Sequence, residues 1–153
     1  LDDVQLSIVG DGPSRGDLER LASKSGVAAT FYGNLEQGAV RSIIRNSDVL
    51  SLPSVPTPAV EEQFGLVLLE AMAEGTALMV ARTGAIPEVV GNCGTLHAAA
   101  DVLSMKSILV RYRDDAEYLA EMSARSAFRF DRWSPERVSE NLVDLWSSVL
   151  SVD

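Results

Sequence analysis

Cysteine and histidine each occur once in this 153-residue chain, as Cys93 and His97. A single cysteine excludes an internal disulfide and suits a reducing compartment. One thiol and one imidazole leave no cluster of soft ligands of the kind that holds zinc. No apolar run approaches the ~20 residues of a membrane-spanning helix. Leu1-Asp2-Asp3 lacks the basic and apolar zones of a secretory signal. Positive charge is scarce: 13 Lys and Arg against 22 Asp and Glu leave a net charge of −9. That balance argues against nucleic-acid binding, which needs a basic face to neutralise phosphates. Internal repeats, low-complexity runs and flexible linkers are also missing. What remains is a chain, 46% hydrophobic and 23% charged, expected to be cytoplasmic and globular and to form one domain over residues 1–153.

Hydrophobic periodicity alternates between strand and helix along the chain. Strands are expected at Val4–Gly10, Ala28–Tyr32, Asp48–Leu52, Ala77–Ala81 and Gly94–His97. Helices are expected from the Leu18/Leu21/Ala22 face to Gly26, between Glu36 and Asn46, at Leu66–Glu74 and, briefly, within Gly84–Val90. Three more should follow at 99–112, 115–128 and 135–150. The last opens with Ser134 as N-cap and Pro135 in its first turn, and Val138, Leu142, Leu145 and Val149 form an expected buried stripe. This rhythm predicts an α/β fold, a Rossmann-like parallel sheet with helices on both faces. Ligands of such folds sit beyond the C-terminal strand ends. Gly10-Asp11-Gly12, Gly33-Asn34, the 53–65 loop and Thr83-Gly84 fall on that edge.

The densest signal is Glu62-Gln63-Phe64-Gly65-Leu66-Val67-Leu68-Leu69-Glu70-Ala71-Met72-Ala73-Glu74-Gly75. Good helix formers fill Leu66–Glu74, and Gly75 suits the left-handed position just past a helix end. Glu62 then lies in the turn before the helix and Glu70 about a turn and a half inside it. Backbone N–H groups near Phe64–Val67 have no acceptor within the helix and carry its positive end, which favours a phosphate. Carboxylates on either side can accept hydrogen bonds from sugar hydroxyls. The segment reads as a pocket for a sugar nucleotide; a helix with two solvated glutamates is the plainer alternative.

Glu-x7-Glu, with its embedded Phe-Gly and Glu-Ala-Met-Ala-x-Gly tail, resembles the donor motif of the retaining GT-B glycosyltransferases of family four. Gln63 stands where that motif usually has glycine. Gly10-Asp11-Gly12-Pro13, Tyr32-Gly33-Asn34-Leu35, Thr83-Gly84-Ala85-Ile86-Pro87-Glu88 and Trp133-Ser134-Pro135-Glu136 extend the likeness over nearly the whole chain. Ala85 replaces a second glycine, and Gly91-Asn92-Cys93-Gly94 is shorter than the family's usual loop. The resemblance implies the C-terminal, donor-binding half of a two-domain enzyme, acting on a nucleoside-diphosphate sugar with retention of configuration and without metal or other cofactor. It implies a catalytic-site role for Glu62 at the transferred sugar. Backbone at Phe64, Gly65 and Leu66 would lie near sugar and phosphate, with Glu70 on the ribose. Gly10, Gly12, Gly33, Asn34, Gln63, Arg82, Thr83 and Gly84 would line the cleft.

Against the family pattern, an N-terminal acceptor domain and the first strand and helix of this half, with their Arg/Lys clamp, are expected to be missing. The resulting unpaired edge predicts a rearranged sheet or a partner filling the gap, a homodimer included, and exposure of Trp133 or Trp146. The fragment alone is expected to be inactive, and any membrane association peripheral, through the missing half. Asp2-Asp3 and Asp114-Asp115 are adjacent pairs, not the Asp-x-Asp of metal-dependent transferases. Alternatives are a non-catalytic Rossmann-like partner-binding module, a sugar-nucleotide epimerase half, and a nicotinamide reductase using Gly10-x-Gly12-x-x-x-Gly16, whose spacing is one residue too long for a dinucleotide fingerprint. His97 lacks a matched catalytic partner, Cys93 lacks a nearby base, and Glu88 either braces its loop or touches the donor.

Overall fold

A computed structural model describes residues 3–58 and 62–150. The chain divides into two compact units, Leu1–Asn46 and Ser47–Asp153, each described on its own. In the first, β1 (Gln5–Val9), α1 (Arg15–Ser25), β2 (Ala28–Gly33) and α2 (Gln37–Arg45) follow in order. β1 and β2 are parallel, with a register shift between Ile8 and Val9. Gly26, at φ 67°, ends α1 as a left-handed C-cap.

The second unit runs β3 (Val49–Leu52), α3 (Leu66–Ala73), β4 (Ala77–Ala81), α4 (Ile86–Val90), β5 (Gly94–His97), α5 (Val102–Asp114), α6 (Ala116–Phe130) and α7 (Pro135–Leu150). A single 3-10 turn at Asp131–Trp133 joins α6 to α7. The sheet order is β3-β4-β5, all parallel. All five β4 residues are buried, as expected for a central strand covered on both faces. Ala77 and Met79 pack against Tyr112 of α5 and Met122 of α6. The alternate residues Leu78 and Val80 face the other way. On β5, a Cβ at Gly94 would meet Val90 of α4 at 2.8 Å, so glycine permits this close approach.

The expected α/β class and the order of elements hold, with α7 at the predicted bounds and Ser134 Oγ accepting the Arg137 N–H at 3.2 Å. The strands form two sheets, β1-β2 and β3-β4-β5. Among the described residues β1 is paired only with β2 and β3 only with β4. Leu6 and Val9 of β1 are both exposed. The expected buried stripe of α7 is corrected: Val138, Leu142, Leu145 and Val149 are 40–64% exposed, and Trp146 beside them 68%. The helix is amphipathic by sequence, but the described residues leave its apolar face largely uncovered. No helix among the described residues is long and apolar enough to cross a membrane.

Candidate functional site

Glu62, Phe64 and Gly65 form the entry to α3. Gly65 takes φ 73° as the N-cap, a conformation glycine adopts without steric cost. Its neighbours demand glycine as well, since a Cβ would lie 2.9 Å from Leu68 Cδ1 and 3.1 Å from Leu52 Cδ2. The Gly65 N–H donates to Glu62 Oε1 at 2.9 Å. A carboxylate is thus placed at the positive end of α3 and satisfies one of its orphan donors. Leu66 and Val67 supply the next amides, which have no acceptor one turn back in the helix. The Leu66 side chain is 71% exposed, consistent with an open approach to this helix end. Gln63 is exposed and Glu70, one turn further along α3, is half-buried.

Phe64 is fixed from a distant part of the chain. Its ring meets Trp133 edge-to-face at 5.3 Å between centroids. Trp133 Nε1–H in turn donates to the Val89 carbonyl at 3.2 Å. Arg129 of α6 reinforces the same loop, donating from Nε to Val89 O at 3.1 Å and from Nη2 to Glu88 O at 2.7 Å. Glu88 therefore takes part in bracing its loop through its backbone carbonyl, while its side chain is exposed. Sequence reasoning missed Trp133 and Arg129 as supports of the site. The Trp-Ser-Pro-Glu stretch marked a helix start, and nothing in its spacing tied it to Phe64, 69 positions away.

Beyond β4, Arg82 is exposed, Thr83 buried and Gly84 exposed with φ 48°. The Arg82 N–H donates to the His97 carbonyl at 2.8 Å and extends the β4–β5 ladder past its last pair. His97 is buried, its Nδ1 2.8 Å from the Ala98 carbonyl. That contact makes Nδ1 the donor and fixes the ring tautomer. Thr83 Oγ1 and His97 Nε2 are buried without a hydrogen-bond partner among the described residues. Cys93 is fully buried, and burial pushes its thiol up to about 11. The thiol stays protonated and inert, as the absence of a base in its turn predicts.

In the first unit, Gly10 and Gly33 come together. The Gly10 N–H donates to Gly33 O at 2.8 Å, with φ 113° and 68° at the two glycines. Asp11 Oδ1 accepts the Gly12 N–H at 2.8 Å. Arg15 closes the cluster, 3.6 Å from Asp11 Oδ2, 2.8 Å from Glu19 Oε1 and 3.3 Å from Phe31 O. A Cβ on Gly33 would come within 3.0 Å of that guanidinium. Asn34 follows, exposed. Gly10, Gly12, Gly33 and Asn34 thus belong to one unit; Glu62, Gln63, Phe64, Gly65, Leu66, Glu70, Arg82, Thr83 and Gly84 belong to the other.

Parallel strands with helical crossovers, glycine-rich turns at their C-terminal ends and a carboxylate seated on a helix N-terminus define a Rossmann-like α/β architecture, and the fold matches that of GT-B glycosyltransferase domains. The chain belongs to the group 1 glycosyl transferases: the family described as "Glycosyl transferases group 1" matches residues 1–115. A phosphatidyl-myo-inositol mannosyltransferase of Mycolicibacterium smegmatis is 31% identical over 152 residues, covering 96% of this chain and 37% of that protein. The sulfoquinovosyl transferase SQD2 of Arabidopsis thaliana is 30% identical over 139 residues, covering 86% of this chain and 26% of that protein. HepE of Anabaena, solved in complex with UDP, superposes with a TM-score of 0.80 at 19% identity, covering 95% of this chain and 41% of HepE. The chain therefore spans well under half the length of these relatives.

Proposed function

We propose that this chain is the donor-binding half of a hexosyltransferase that uses a nucleoside-diphosphate sugar, retains anomeric configuration and needs no metal. The reading rests on the Glu62 carboxylate seated on the Gly65 amide at the start of α3, within the Glu-x7-Glu segment. Having accepted one N–H, the Glu62 carboxylate keeps acceptor capacity for the hydroxyls of the transferred sugar. The donor diphosphate would lie against the Leu66 and Val67 amides, where the helix end stabilises developing negative charge without a cation. Glu70, further along the helix, would accept from the ribose hydroxyls. Gln63, Thr83 and Gly84 would border the donor in the second unit, and Gly10, Gly12, Gly33 and Asn34 would serve donor binding from the strand ends of the first. Acceptor binding is assigned to length that the relatives have beyond the matched region, so these 153 residues bind donor and do not transfer it.

Relatives that act on mannosyl and sulfoquinovosyl groups, and a structural neighbour that holds UDP, support a nucleotide-sugar ligand. Calorimetric titration with UDP, GDP, ADP and NAD, in EDTA, tests the proposal. The expected result is saturable binding of one nucleoside diphosphate, weakened about tenfold or more in Glu70→Ala, since a lost charge-assisted hydrogen-bond pair is worth roughly 1.5–3 kcal/mol. Binding of NAD alone, or diphosphate binding indifferent to Glu70→Ala, would overturn it.

A further inference from the structure

Two hollows in the second unit lie away from the Glu62–Glu70 segment, along β5 and α6. The first, of about 460 Å³, opens beside β5, which is an edge strand among the described residues. Arg82, Arg111 and Arg125 converge on it, in a chain whose net charge is −9. The one carboxylate in its wall, Glu121, is already held by Arg125 Nη2 at 2.6 Å. Arg82 and Arg111 have no ion-pair partner among the described residues. We propose that this hollow is a binding site for a phosphate monoester, held by Arg82 and Arg111 and flanked by Arg125.

Its wall is built before any ligand arrives. Arg111 lies 3.4 Å above the Tyr118 ring centroid. That ring stacks on Tyr112 at 5.4 Å, and both hydroxyls meet Thr95 Oγ1, at 3.1 Å from Tyr118 and 2.7 Å from Tyr112. Tyr112 Oη donates to the Leu78 carbonyl at 3.0 Å and so anchors the network in the central strand. A guanidinium laid over a fixed ring keeps its N–H edge free in its own plane, the geometry that pairs with phosphate oxygens. Two guanidiniums without carboxylates match the double charge of a phosphate monoester, whereas a simple carboxylate would neutralise only one. Arg82, which the sequence placed at the cleft, lines this hollow. The ester can be a soluble metabolite or the headgroup of a phosphate-monoester lipid; the recognising chemistry is the same.

The test is an amide-shift NMR titration of the 15N-labelled chain with glycerol 3-phosphate, glycerol serving as the uncharged control. Sedimentation with phosphatidic acid vesicles is run in parallel, against phosphatidylcholine vesicles. Saturable shifts at Arg82, Gly94, Thr95 and Leu96 are expected, absent with glycerol. They should weaken about tenfold in Arg111→Gln and in Arg125→Gln, as loss of a charged hydrogen-bond donor implies, and stay unchanged in Lys106→Gln, outside the hollow on the same unit. Sedimentation lost in Arg111→Gln identifies the headgroup as the source; shifts without sedimentation identify a soluble ester. Neither shifts nor sedimentation, or responses equal in Arg111→Gln and Lys106→Gln, would overturn the proposal.

Discussion

At the scale of single residues, surroundings decide chemistry more than residue type does. Glu62 and Glu70 are both carboxylates on one motif, yet Glu62 caps a helix end while Glu70 sits along the helix. Cys93 shows the same rule in reverse. Its side chain is buried and removal from water disfavours the thiolate, raising the thiol to about 11. The unfolded chain releases this proton first, so as pH rises through the ordinary thiol range the unfolded state gains and Cys93 lowers stability. Iodoacetamide labelling at pH 8 should be at least about a hundredfold slower on the native chain than in denaturant, since reagent access and thiolate fraction both fall. Comparable native and denatured rates, followed by mass spectrometry, would show that Cys93 is neither buried nor protonated.

At the scale of elements, short helices are held by their ends. α3 spans only Leu66–Ala73, too short to be stable alone, and its start depends on Gly65. Gly65→Ala should destabilise the protein by about 2 kcal/mol or more. Left-handed backbone costs a non-glycine residue roughly 1–2 kcal/mol, and the new methyl would crowd Leu68 and Leu52. Urea denaturation measures the change, and a loss under about 0.5 kcal/mol would rule out this account of the turn. Nearly every element was legible from periodicity, because sheet and helix impose distinct repeats on apolar residues. The α7 stripe was not: amphipathicity shows which face is apolar and says nothing about whether another surface meets it. Trp133 was equally opaque, since its contact with Phe64 joins positions far apart in the chain.

At the scale of the molecule, the core is unevenly shared. Gly33 and Ile44 are the buried residues among those described in the first unit, while the second carries β4, most of α4, and parts of α3, α5 and α6. Backbone hydrogen bonds in β1 and β2 therefore have little buried apolar contact to keep them closed. Hydrogen exchange read by mass spectrometry should deprotect Gln5–Gly33 well before Ala77–Ala81. Uniform protection across both units would mean that they open as one cooperative body.

The sequence by itself determined the α/β class, the order of elements, the family and the Glu62–Gly75 segment, because local periodicity, glycine placement and motif spacing are properties of neighbouring residues. Only the tertiary structure decided the partition into β1-β2 and β3-β4-β5, the exposure of the α7 stripe, the bracing of Phe64 by Trp133, and the gathering of Arg82, Arg111 and Arg125 around one hollow. Each depends on which distant surfaces meet, and a one-dimensional pattern records the valence of a surface without naming its partner.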